Sequence, residues 1–506
     1  MKPNIVIIMT DQQQARCCRR EGFALDTTPF LDALACKGTW FDKAYTACPV
    51  CGPARVSMLT GRHTEATGVR SNALVDGRSW GKRLIGPRYE TDLLDVLKAE
   101  GYATAMVGKN HSHWKRDDLD HWYDMGHSAG HGLPEAQRTE REIRFDRWLA
   151  ELRHGVSDTP TPFPLACQGP YRTVTDAGNW ISRVKGERPF FMWLSFAEPH
   201  NPYQVPEPYF SMFPHDRLPP VLADAGAVEA KGFKWQFLSR LERRSLPRFE
   251  ELLPYHRSNY YGMLRLIDDQ VRRFVGVLES EGLLDETIIF FVSDHGDFVG
   301  DYGLMRKGPE MPEDLMRIPF FVTGPGIRAD SRPHPAFVSL IDVMPTICEA
   351  IAAPIPAGVQ GRSLWPLLTG GDYPAEEFAS VYAEHGFGGL DYDWDDEPDF
   401  DKFGPQGRWA IHFDELNQYT QCGIRRMLRR DNWKLIYDMN GRGQLYDLDK
   451  DPAELDNLFD DPRCADVRHM MVEELLAATL RAADPLPLPG GDYQRKNPPR
   501  NYWTQT

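Results

Sequence analysis

"NIVIIMTDQQQ", residues 4–14, opens with a nearly unbroken apolar run that stops at an acid and then a row of amides. A strand covered on both faces reads this way, whereas a strand with one wet face alternates. The residues just past the run matter, because ligands of open α/β sheets bind beyond the carboxyl ends of the strands. Three further runs repeat the pattern. "ATAMVG" (103–108) passes into Lys109, His111 and His113, "FFMWLSF" (190–196) into Glu198 and His200, and "TIIFFVS" (287–293) into Asp294, His295 and Asp297. Each end alone is an ordinary turn or helix cap. Four together mark a shared polar edge.

Helical patterns lie between the runs, one opened by Thr28-Pro29 and another over "TDLLDVLKAEGY" (91–102), so the fold class is α/β with a large, mostly parallel central sheet covered on both faces. "TWFDKAYT" (39–46) and "IPFFVTG" (318–324) add strands, and Met263, Ile267, Val271, Phe274 and Leu278 predict a long amphipathic helix packed as core. Segments 115–185 and 204–255, rich in Pro, Trp, His and charge without clean periodicity, are expected as long excursions that build the mouth of a pocket. After "QGRSLWPLL" (360–368) the composition shifts to Gly, Asp and Tyr, which places a boundary near 371 between a large unit, 1–370, and a smaller α+β unit, 371–506. In the latter, "WKLIYDM" and "GQLYDLD" joined by "NGRG" predict an antiparallel hairpin, and 464–482 a helix.

The chain has 506 residues and a net charge of -15, with no basic run of five or more to neutralise phosphates, which excludes a nucleic-acid partner. "RRMLRR" (425–430) reads as a solvated face with a few anion contacts, and the acidic 391–401 run as a solvated loop. No apolar stretch reaches the roughly eighteen residues of a spanning helix, so no membrane partner is expected. The first run is too short for a signal peptide core and lacks a cleavage site, so the chain is expected to be cytoplasmic, or periplasmic if a leader was removed. Nine cysteines, an odd count with Cys17 and Cys18 adjacent, fit a reduced compartment.

Asp11, Gln12, Asp294 and His295 offer mainly oxygen donors, which suit a hard divalent cation such as Ca²⁺ or Mg²⁺. Neither HExxH nor paired CxxC motifs occur, which counts against zinc. Lys109, His111, His200 and Lys307 add cations and proton-transfer groups around an anionic guest. "ACPVCGPARVSMLTGRH" (47–63) completes the picture. Pro53, Val56 and Leu59 predict a helix, with Cys51 just before its N-terminus, where free amides and the dipole attract an anion and lower a thiol pKa. Gly52 lets a ligand approach the backbone, and Arg55, one turn on, can hold an anion or the metal's ligands. Cys48 is read as packing, and a redox Cys48–Cys51 pair lacks the βαβ context it would need.

"CGPARVSMLTGRH" resembles the signature of type I, formylglycine-dependent sulfatases, Cys-x-Pro-x-Arg followed by Leu-Thr-Gly. "NIVIIMTDQQ", "GKNHSH", "EPHNPY", "VSDHGD" and "WKLIYD…QLYDLDKDPAELDNL" resemble that family's other landmarks, in family order through nearly the whole chain. The resemblance implies an alkaline-phosphatase-like α/β sandwich with a smaller C-terminal domain bearing an antiparallel sheet. It implies a sulfuric ester hydrolase, arylsulfatase-like, that cleaves a carbohydrate, aryl or alkyl sulfate to alcohol and inorganic sulfate. Cys51 would be converted to formylglycine (3-oxoalanine) by a separate maturation enzyme. Asp11, Gln12, Asp294 and His295, with residue 51, would hold a divalent metal, Ca²⁺ ahead of Mg²⁺ or Mn²⁺. The family often has Asp where this chain has the neutral Gln12.

By the same resemblance, one hydroxyl of the hydrated aldehyde attacks sulfur. Arg55, Lys109 and Lys307 stabilise the sulfuryl oxygens, His200 with Lys307 protonates the leaving oxygen, and His111 takes a proton from the second hydroxyl to release sulfate. Asn72 and His113 are placed as substrate-binding. Two alternatives remain. Phosphonate monoester and phosphodiester hydrolases of the same superfamily share Cys-x-Pro-x-Arg, although Lys109 and His111 favour sulfate; a non-catalytic binder of sulfated ligands would leave Cys51 a thiol. Specificity is expected on the loops at 115–185, 204–255 and 385–420, and the acidic 391–401 run, if near the mouth, would favour small or singly sulfated substrates.

Overall fold

The computed structural model describes residues 2–72, 91–126, 133–152, 155–308, 310–386, 394–396 and 423–483. Its strands in chain order are β1 (Asn4–Thr10), β2 (Thr39–Phe41), β3 (Ala44–Tyr45), β4 (Ala103–Gly108), β5 (His121–Asp124), β6 (Phe190–Ser195) and β7 (Thr287–Ser293). They continue with β8 (Phe320–Thr323), β9 (Val338–Ser339), β10 (Ser380–His385), β11 (Arg425–Arg430), β12 (Trp433–Asp438) and β13 (Gly443–Asp447). A seven-stranded sheet runs β2-β8-β7-β1-β6-β4-β5, and a four-stranded sheet runs β10-β11-β12-β13.

β1 is central, with Ile5 opposite Phe191 on one side and Ile288 on the other, both pairings parallel. Ile5, Ile7 and Met9 pack with helices Cys51–Thr60, Leu93–Ala99 and Val343–Ala350, whereas Val6 and Ile8 pack with Pro29–Ala35, Gly169–Val184 and Phe249–Ser280. Each large aliphatic or aromatic side chain buried this way contributes about 1.5–3 kcal/mol. Because both faces are dry, hydrophobicity alone does not set the register of β1. Asp11 does, since a one-residue slip would draw its carboxylate into the sheet.

Thr10 stands opposite Ser293 and Gly108 opposite Ser195, so the chains leaving β1, β4, β6 and β7 emerge side by side at one edge. Gly108 is required there. Its φ is 106°, and a Cβ would lie 1.8 Å from the Ser195 carbonyl oxygen, to which the next N–H, that of Lys109, donates at 2.7 Å.

Several expectations are corrected. Segment 115–185 holds β5 and two helices, Glu140–Glu151 and Gly169–Val184, and 204–255 holds helix Phe233–Ser245 and the start of the 32-residue helix Phe249–Ser280. Their apolar stripes are diluted by charges that find partners in the fold, as Arg172 does with Glu142 and Asp146. "IPFFVTG" forms β8, which runs antiparallel to β7 and β2, so its carboxyl end points away from the polar edge. The predicted hairpin, β12 and β13, belongs to a four-stranded sheet. "RRMLRR" is not a solvated face: it is β11, with Arg425 and Arg429 buried against Glu310 and Glu313 from distant chain. The helix expected at 464–482 spans Ala465–Ala483. The acidic 391–401 run, apart from 394–396, and most of the 385–420 loop lie outside the described residues. No described helix is long and apolar enough to cross a membrane.

Candidate active site

Four chain segments converge at the polar edge. Asp11 follows β1, Asp294 and His295 follow β7, and Cys51 opens helix Cys51–Thr60; one ligand atom from each lies within 4.8 Å of the others, and all four residues are buried. Cys51 Sγ is 3.2 Å from His295 Nε2 and 3.7 Å from Asp11 Oδ1. Gly296 lets this turn close, for a Cβ there would lie 1.8 Å from the Asp314 carbonyl oxygen.

The imidazole tautomer follows from its second nitrogen. His295 Nδ1 lies 2.8 Å from the Gly296 carbonyl, which can only accept, so Nδ1 carries a proton and Nε2, facing the cluster, is the nitrogen whose lone pair a cation would take. Carboxylate oxygens, an imidazole nitrogen and a sulfur thus point at one another. That convergence fits a divalent cation, which Asp11, Asp294, His295 and residue 51 would hold, with the Gln12 amide oxygen, here 3.1 Å from Lys307 Nζ, as the further donor expected from the sequence.

Arg55, wholly buried, clamps the two carboxylates: Nε donates to Asp294 Oδ2 (2.8 Å) and Nη2 to Asp11 Oδ2 (3.0 Å). Its Nη1 donates to Ser195 Oγ and to the Lys109 carbonyl, both at 2.8 Å. In this arrangement Arg55 serves the carboxylates. Lys109 Nζ also pairs with Asp11. Burial raises the Asp11 carboxyl, but Lys109, His200, Arg55 and His295 outweigh it and hold the pKa well below the usual range. Burial and Asp11 likewise raise the unmodified Cys51 thiol, and Lys307, Lys109 and His295 reverse the sign, leaving it well below an ordinary cysteine.

On the other side, Lys307 Nζ donates to Gln12 Oε1 at 3.1 Å and lies 3.4 Å from His200 Nε2. His200 Nδ1 donates to the Asn201 carbonyl at 2.8 Å, which directs Nε2 toward Lys307. Asn72 Oδ1 accepts from the Gly52 N–H at 2.9 Å, beside Cys51 at the helix start. His111 has φ 44° and a buried Nδ1 that no hydrogen bond reaches among the described residues. His113 Nε2 is 2.7 Å from Asp92 Oδ2, which also accepts from Trp114 Nε1 at 2.7 Å, so His113 is tied to helix Leu93–Ala99 rather than to Cys51. Sequence reasoning left out Ser195 and Tyr203 and gave no role to Asp297, which it named only as a polar residue past β7. The last two stand in "EPHNPY" and "VSDHGD", but nothing in spacing shows that they meet Gln12.

Comparison with known proteins gives a consistent picture. Residues 3–353 match the family model described as Sulfatase. An arylsulfatase of Clostridium perfringens is 28% identical over 94% of this chain and 95% of its own. Among solved structures, a phosphonate monoester hydrolase of Agrobacterium radiobacter superposes with a TM-score of 0.76 at 23% identity, covering 95% of this chain and 96% of the other. A 2-O GAG sulfatase superposes with a TM-score of 0.70 at 20% identity, covering 96% and 93%. At those identities the two structures speak for the fold.

Proposed function

The chain belongs to the sulfatase family, and from that premise we propose that it hydrolyses sulfate esters to an alcohol and inorganic sulfate at the Asp11–Cys51–Asp294–His295 centre. The architecture is the alkaline-phosphatase-like α/β fold. The observation that carries the reading is the meeting, within 4.8 Å, of cation-type donor atoms with a cysteine at a helix N-terminus. We assign Cys51 as the precursor of formylglycine, whose hydrate supplies the attacking hydroxyl, and Ca²⁺ as the cation, with Mg²⁺ and Mn²⁺ as the alternatives to test. A bound cation would polarise a sulfuryl oxygen and favour the deprotonated nucleophile.

The chain's own residues then divide the work. Arg55 holds Asp11 and Asp294 in place, and Lys109 neutralises Asp11 while facing the anion. Lys307 and His200, 3.4 Å apart, form the proton-donating side: the leaving oxygen takes a proton from the Lys307 ammonium or from a protonated His200 Nε2. His111, with its unpartnered Nδ1, is the base proposed for releasing sulfate. Asn72 orients the helix start beside the nucleophile. We place the substrate among sulfated saccharides, a class supported by a structural neighbour described in complex with its substrate, a glucosamine disulfate.

Two measurements test the reading. Mass spectrometry of the peptide carrying Cys51, after co-expression with a maturation enzyme, is expected to show a loss of about 18 Da as SH and H give way to O; thiol alone would count against catalysis. Parallel assays on an aryl sulfate and phenyl phosphonate are expected to favour sulfate. A phosphonate preference of several orders would move the chain to the phosphonate hydrolase reading.

A further inference from the structure

We propose that Asp297 and Tyr203 are positioning residues that lock the Gln12 amide with its oxygen toward Lys307, and thereby set the Lys307–His200 pair for protonating poor leaving groups. The proposal rests on the sulfatase reading of the same site.

Asp297 is fully buried two residues past His295 and accepts on both oxygens. Oδ1 takes the backbone N–H of Val299 (2.7 Å) and of Arg306 (3.1 Å); Oδ2 takes the Tyr203 hydroxyl and Gln12 Nε2, both at 2.6 Å. The Tyr203 oxygen, its proton given to Asp297, accepts from Gln12 Nε2 at 3.1 Å. An amide can turn over with little change in shape, and here its neighbours decide which way it faces. A carboxylate and a phenol oxygen that has already donated offer only lone pairs. Both N–H bonds of Gln12 must therefore point at them, and Oε1 is left facing Lys307 Nζ at 3.1 Å.

The lock is itself held. The His256 ring packs edge-on to Tyr203, with centroids 4.1 Å apart, and Tyr260 donates to the Gln12 carbonyl at 2.8 Å. Gln12 sits at φ 70°, so its side chain leaves the strand end in a direction an extended residue would not take. A neutral amide can thus stand at this position and still present an oxygen to Lys307, because a second carboxylate behind it, Asp297, orients it. From Lys307 the chain of contacts continues to His200 Nε2 at 3.4 Å.

Protonation of the leaving oxygen matters most when that oxygen is strongly basic. Disturbing the lock should therefore separate substrates by leaving group, which a general loss of folding or of cation binding would not do. Asp297→Asn keeps an oxygen for Val299 and Arg306 but turns an NH₂ toward Gln12, which must then turn its own NH₂ toward the Lys307 ammonium. The test uses the full-length, matured enzyme with 4-nitrophenyl sulfate and a sugar sulfate. Expected for Asp297→Asn is a fall in kcat/KM of roughly 10²–10⁴-fold on the sugar sulfate and less than about tenfold on the nitrophenyl ester. Tyr203→Phe should shift the ratio the same way by less. If Asp297→Asn does not fold, the ratio in Tyr203→Phe decides. Equal losses on both esters, or none, overturn the proposal alone; a wild type that releases sulfate from neither ester overturns the sulfatase reading and this proposal with it.

Discussion

At the strand ends, Asp11 and Asp294 share Arg55 while Lys109 pairs with Asp11; where the second sheet meets the first, Glu313 and Glu454 share Lys434 while Arg429 pairs with Glu313. Both groups are acids and bases taken out of water, and both are tightly bonded. At the junction, Lys434 is wholly buried 2.7 Å from Glu454 and 3.1 Å from Glu313, Arg429 lies 3.5 Å from Glu313, and Tyr45 donates to Glu313 at 2.8 Å. There the carboxylates face cations and donated protons. At the strand ends Asp11, Cys51, Asp294 and His295 also bring their ligand atoms within 4.8 Å of one another. Buried charge by itself therefore says little about function. Convergent ligand atoms say more, because a cation is what satisfies them.

The largest expected contrast comes from breaking one residue of each group. Cys51→Ala should lower kcat by about 10⁴-fold or more while leaving stability near wild type. Lys434→Met should do the reverse, costing about 3–5 kcal/mol by removing the buried cation that Glu454 and Glu313 share, with turnover of the folded fraction unchanged. Denaturant melts and initial rates on both variants check this. A large activity loss in folded Lys434→Met would erase the distinction. Next in size is the cation. Adding Ca²⁺ at about a hundred times its Kd should stabilise the wild type by about 2.7 kcal/mol, and Asp294→Asn much less; a chelator should reverse the gain. Equal gains in both proteins would place the ion elsewhere.

The smallest effect is a pH dependence at the junction. Burial raises the Glu313 carboxyl, but Lys434, Arg429, Arg317 and Tyr45 outweigh it and bring it from 4.5 to about 2. A depressed folded pKa means stability that is present above the unfolded value and is lost as the pH falls through the folded one. Wild type should therefore lose about 1–3 kcal/mol more than Glu313→Gln between pH 4.5 and 2. Parallel slopes in urea melts across that range would show that the junction does not titrate as described.

The sheet's centre was legible because β1, β4, β6 and β7 are dry on both faces, which leaves long apolar runs, and because the polar residue after each run stands out. Cys51 was legible from its neighbours in sequence. What escaped depends on contacts between distant residues. Strand direction is not written in "IPFFVTG", and the burial of Arg425 and Arg429 requires Glu310 and Glu313, which no local reading supplies. Helix Gly169–Val184 does space Val174, Ala177, Trp180 and Ile181 on one face, but Arg172 and Asp176 obscured the stripe. The Gln12 lock joins three separate loops, so its members looked like isolated turn residues.

The central place of β1 also sets a timetable for synthesis. It is made well before its partners, for Ile5 pairs with Phe191 and Ile288. At translation rates of about 5–20 residues per second, the strand waits on the order of ten seconds or more for its partners. Through that interval a mostly apolar heptapeptide with high β-propensity has neither partner strand to join, and a chaperone that shields this nascent segment should raise the yield of native enzyme more than one that acts after release.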